Sequence, residues 1–79
     1  MKAPYNALAK AQAVDKEAER VANFLCSVVA ANTTVTTAVL RALLLKYDGR
    51  LTCRGELREV KNKRVGPGVY RVWTEHLEG

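Results

Sequence analysis

Ala7, Ala11, Val14, Ala18, Val21, Leu25 and Val28 recur at alternating steps of four and three residues. With 3.6 residues per turn, that spacing lays a stripe along one face of an α-helix. Sustained over three heptads, it commits the first third of the chain to one long helix or to a helix broken near Val14-Asp15. The composition agrees, since the segment is Ala-rich and Pro4 suits a first helical turn. Small residues in the first half permit close approach but bury little area. Phe24, Leu25, Val28 and Val29 broaden the stripe, so residues 18–31 are expected to be the better buried part. An intramolecular core face is the simpler use of the stripe, and a homodimer seam through the N-terminal helix is the alternative.

The remaining chain is short. Seventy-nine residues make a single domain, 1–79, near the lower limit for burying a self-sufficient core. Residues 1–14 are expected as an extended or flexible N-terminal helix, and 75–79 as a frayed tail. A core of this size supplies about 3–5 kcal/mol, and a pocket that encloses a substrate is hard to build around it.

Asn32-Thr33-Thr34 interrupts the stripe and offers N-caps for a second helix. Val35, Val39, Ala42 and Leu43 form its inner face, and Asp48-Gly49 ends it at a left-handed C-terminus. Residues 50–64 admit two readings. A helix capped by Thr52 and running from Cys53 to about Lys63 would place Cys53, Leu57 and Val60 on one face. A hairpin would pair Leu51-Arg54 with Leu57-Lys61 around Gly55-Glu56. Gly55 costs the helix about 1 kcal/mol, yet the helix is preferred. Val65-Gly66-Pro67-Gly68 is a turn, and the β-branched, aromatic run Val69-Tyr70-Arg71-Val72-Trp73-Thr74 is a strand. The expected fold class is therefore mainly α with a short C-terminal β element.

Charge is concentrated in the second half. Residues 41–71 carry nine Lys/Arg against Asp48, Glu56 and Glu59, a formal +6 within a chain of net +5. A basic block between near-neutral ends suits a surface that faces phosphate, and a merely solvated surface is the plain alternative. On a helix over 53–63, Arg54, Arg58 and Lys61 fall at i, i+4 and i+7, about 100° around from the apolar stripe. Such a helix fits the major groove, where Arg reads guanine and Lys or Arg grips phosphate. Lys63 and Arg64 at the helix end, Arg50 before it and Arg71 on the strand complete the candidate contact set.

Two helices, a basic helix, a glycine turn and an aromatic strand resemble a winged helix-turn-helix domain. The likeness rests on Leu51-Thr52-Cys53-Arg54-Gly55-Glu56-Leu57-Arg58-Glu59-Val60 and Val69-Tyr70-Arg71-Val72-Trp73, and it covers roughly residues 33–74. It implies a small helical DNA-binding domain that regulates transcription from duplex DNA, often as a dimer. Two other readings use the same residues. An exposed Arg71/Trp73 pair on one strand face would suit stacking on single-stranded bases, although Trp73 filling the small core is the simpler expectation. The basic block could also dock an acidic protein partner, as an adaptor or inhibitor.

Catalysis is not expected. His76 is the sole histidine and lies in the expected tail. Asp15, Glu17 and Glu19 are explained by the dipole of a helix start, and Gly66 and Gly68 lack the G-K-[ST] of a phosphate loop. Cys26 and Cys53 lack paired metal-ligand spacing, so no cofactor or metal is expected. Met1-Lys2-Ala3-Pro4-Tyr5-Asn6 has no apolar signal core, and the apolar runs 24–31 and 38–45 fall short of the roughly 20 residues of a membrane span. A single disulfide is conceivable, but nothing suggests secretion, and the default reading is a cytoplasmic protein with reduced cysteines and no membrane contact.

Overall fold

A computed structural model describes residues 3–28 and 30–77, with side chains from residue 12 onward within those ranges. The element order is α1 (Ala3–Ser27), β1 (Asn32–Thr36), α2 (Thr37–Tyr47), β2 (Arg50–Cys53), β3 (Glu56–Gly66) and β4 (Val69–His76). The four strands form one antiparallel sheet in the order β1-β4-β3-β2. Sheet and helices share the chain, which overturns the expectation of a mainly α domain with a short β element.

The N-terminal stripe forms a single unbroken helix. Within α1, Ala18, Val21, Ala22 and Leu25 are buried against Val39, Leu40 and Leu43 of α2. Together they cover Val35, Leu51, Cys53, Val60 and Val72, one face of the sheet. This assigns Val14, Ala18, Val21 and Leu25 of the stripe to the intramolecular core, whereas Phe24 and Val28, expected among its better buried part, are exposed; the side chains of Ala7 and Ala11 lie outside the described set. Asp15 and Glu19 sit inside the helix rather than at its start. They hold Lys46 of α2 at 3.2 and 3.0 Å, tying the two helices together.

The second helix starts later than expected. Asn32–Thr36 is an edge strand, whose β-branched residues suit a pleated surface. Thr36 alone is the N-cap, its hydroxyl accepting from the Val39 N–H at 3.3 Å. Asp48 and Gly49, with φ of 56° and 72°, end α2 in left-handed geometry, and the Gly49 N–H closes on the Leu44 carbonyl.

The expected helix over 53–63 is absent. In its place β2 and β3 form a hairpin around Arg54-Gly55, whose φ values of 55° and 82° match a type I′ turn. Gly55 therefore does more than weaken a helix: it occupies a position where a Cβ is strained. The resemblance to a winged helix loses its recognition helix here. The Gly66-Pro67-Gly68 turn is present and joins β3 to β4, with Val65 as an extra, bulged residue between Arg64 and Gly66. Glu75 and His76, expected in a frayed tail, belong to β4.

Cys26 at the end of α1 and Cys53 on β2 form a disulfide, with Cα atoms 5.0 Å apart. This overturns the expectation of reduced thiols. Its closed loop of about 28 residues corresponds to about 3.5 kcal/mol of stabilisation in the chain-entropy model.

Candidate nucleic-acid interface

Strand periodicity decides where the cations go. Side chains alternate between the faces of a sheet, and the helices cover the face holding Val35, Leu51, Val60, Val72 and Thr74. The intervening residues therefore share the uncovered face: Asn32 and Thr34 on β1, Val69, Arg71, Trp73 and Glu75 on β4, Leu57, Glu59, Lys61 and Lys63 on β3, and Arg50 on β2. The register sets them in rows. Thr34, Arg71 and Lys63 are in line across three strands, and Asn32, Trp73 and Lys61 form the next row. Glu75, Glu59 and Arg50 form the row beyond.

The face is thus electrically polarised. At one end Lys63 and Arg71 stand opposite each other, exposed, and neither joins an ion pair among the described residues. At the other end Glu59 lies between Arg50 and Glu75 in the register and also takes Lys61 Nζ at 3.4 Å. Like charges directly across a strand pair are destabilising. The carboxylate pair Glu59/Glu75 has cations beside it; the cation pair Lys63/Arg71 has no carboxylate within ion-pair distance among the described residues.

Trp73 is half-buried on this face and does not pack against the core, contrary to the expectation that it fills the core. Its Nε1–H donates to Glu75 Oε2 at 2.9 Å. Beside it lies an open cleft of about 580 Å³ lined by Asn32, Lys63, Arg71, Trp73, Glu75 and His76, among others. Strand β1 pairs only with Val69–Trp73, so the cleft continues around the unpaired edge of β4 at Thr74–His76.

Of the seven residues singled out in the sequence, the fold brings Arg50, Lys61, Lys63 and Arg71 to the open face. It sends the other three elsewhere. Arg58 lies on the helix side, donating from Nε to Thr74 Oγ1 at 2.8 Å and from Nη2 to the Thr74 carbonyl at 3.2 Å. Its Nη1 also reaches Glu56 Oε2 at 3.5 Å. Arg64 lies opposite Tyr70 and donates to the Gly66 carbonyl at 3.3 Å. Arg54 occupies the β2–β3 turn. Arg54, Arg58 and Lys61, grouped by helical spacing, are thus dispersed over a turn and two faces.

Asn32 was missed because it read as a helix cap; the signal that would have found it is the β-branched run that follows it. His76 is held by Glu56, the carboxylate that also takes Arg58. Among the described residues, no group of three or more His, Cys, Asp or Glu is placed to hold a metal ion, and no helix is long and apolar enough to cross a membrane. The chain matches no family model, and no curated protein or solved structure is significantly similar to it.

Proposed function

We propose that this chain binds nucleic acid through the uncovered face of its sheet. The observation that supports the reading is the Lys63/Arg71 pair. Two cations face each other across adjacent strands, with Lys61 in the next row and, among the described residues, no carboxylate paired with either. Such an arrangement disfavours the free fold and is relieved when a phosphate sits between the two charges. Arg50 lies on the same face but in the Glu59/Glu75 row, apart from this pair. The reading replaces major-groove recognition by a 53–63 helix, which the hairpin removes, and retains the basic segment as the contact surface.

A salt titration tests it. Affinity for an oligonucleotide should fall linearly on a log–log plot, with a slope of about −0.7 per phosphate neutralised on a single strand and about −0.9 on a duplex. Three or four contacts give a slope of about −2 to −4. Lys63→Ala combined with Arg71→Ala should reduce it by close to two contacts. Absence of binding at low salt, or binding indifferent to salt, rules the reading out.

A further inference from the structure

The tryptophan on this face narrows the nucleic acid. Trp73 is the only tryptophan of the chain. A Trp offers about 150–250 Å² to a core, yet Trp73 is only half-buried on the uncovered face and does not pack against the core. The indole is held by its N–H edge to Glu75 and lines a cleft whose volume of about 580 Å³ falls in the range that takes one small-molecule-sized group. Three chemistries meet there: an aromatic ring, the cations Lys63 and Arg71, which join no ion pair among the described residues, and the Asn32 amide, which both donates and accepts hydrogen bonds. Among the described residues, Glu75 is the only carboxylate in the cleft wall. Arg58 also lines the cleft, but it is already held by Thr74 and Glu56, which leaves the Lys63/Arg71 end for the backbone.

We propose that the cleft takes one unpaired base of a single-stranded nucleic acid, stacked on Trp73. Lys63 and Arg71 hold the flanking phosphates, and Asn32 meets the edge of the base. The inference rests on the nucleic-acid reading above and adds strandedness to it. In a duplex both faces of every internal base are already stacked, so only the end pairs leave a ring face free to meet Trp73. The sheet also fits the grooves poorly. Four strands at about 4.8 Å spacing set the outer strands about 14 Å apart before side chains are counted, whereas the major groove is about 12 Å wide and admits a helix or a two-stranded ribbon. Stacking tolerates any base and either sugar.

Because Trp73 is the sole indole, its fluorescence reports this cleft alone. The full chain is titrated at low salt with 15-nucleotide oligo-dT, oligo-rU, a 15-base-pair duplex and heparin, a polyanion without bases. The expected result is quenching by one or both single strands, with affinity at least about tenfold above the duplex. Trp73→Ala should lose about 5- to 150-fold in single-strand affinity, and Trp73→Phe should retain most of it. Circular dichroism checks that each variant folds. If Trp73→Ala does not fold, quenching and strand preference in the unsubstituted chain decide. A duplex bound as tightly as either single strand, or heparin quenching as strongly as the oligonucleotides, overturns the single-strand inference while leaving polyanion binding intact. Failure of all the nucleic acids to bind overturns both this inference and the reading beneath it.

Discussion

Lys63 on β3 and Arg71 on β4 are directly opposed in the antiparallel register, on the face of the sheet that no helix covers. Their mutual repulsion sets stability against binding at a single point. Lys63→Glu converts a repulsive cross-strand pair into an attractive one and should stabilise the free protein by about 0.5–1 kcal/mol. For a chain of this size, that raises Tm by about 2–8 °C. The same substitution should remove low-salt binding to nucleic acid. A thermal melt alongside a binding curve checks both, and a variant that lost stability would contradict the assigned geometry.

The disulfide carries a large share of the stability. Reduction, or the double substitution Cys26→Ser and Cys53→Ser, should lower the free energy of unfolding by about 3–4 kcal/mol. That is comparable with everything a core of this size supplies. Urea unfolding with and without reductant measures it, and an unchanged midpoint would show that the crosslink is not formed in solution.

Leu43 and Leu45 are two residues apart on α2, one fully buried and the other 77% exposed. Leu43→Ala should cost about 2–5 kcal/mol through lost burial and a residual cavity. Leu45→Ala should stay within about 0.5 kcal/mol of the parent. Matched urea midpoints for both variants would argue against the packing of α2 described here.

Lys46 is hydrogen-bonded by Glu19 and then Asp15, which raise its pKa above the ordinary 10.5. A group whose pKa is higher in the folded state contributes stability below its unfolded pKa and loses it as pH rises through the folded value. The Tm advantage of the parent over Lys46→Gln should therefore be constant near neutrality and shrink above pH 10.5. Salt should reduce it too, because the three side chains are partly solvated.

The parts of the fold that were legible in the sequence are those with one dominant signal. The 3.6-residue stripe gave α1, Asp48-Gly49 gave the end of α2, and Gly66-Pro67-Gly68 with Val69–Thr74 gave the last turn and strand. The hairpin was obscured because β3 lacks the alternation that marks a half-buried strand. Its helix-side row is Glu56, Arg58, Val60, Asn62 and Arg64, with only Val60 buried, and its open row includes the exposed apolar residues Leu57 and Val65. Without a period of two, the spacing of Cys53, Leu57 and Val60 imitated a helix face. Positive φ at Arg54, a non-glycine residue, added no visible turn signal. The site was half legible. Charge concentration located the basic segment, but which cations share a surface depends on strand parity, and so on the choice between helix and hairpin. Trp73 was misplaced because a large aromatic in a small chain is ordinarily core.

One feature of the sheet reaches beyond binding. Strand β2 pairs with β3 only from Glu56 to Glu59, so the backbone from Lys61 onward has a strand on one side and none on the other. Open backbone of this kind recruits strands from other molecules, and charged side chains, lysine above all, are the common safeguard against it. Here the exposed stretch is Lys61-Asn62-Lys63-Arg64. Lys61 and Lys63, proposed above as ligand contacts, are therefore also placed to guard this edge, with Arg64 beside them. On the proposed reading, protection of this edge and ligand capture draw on the same few charges, and neutralising them for one purpose compromises the other.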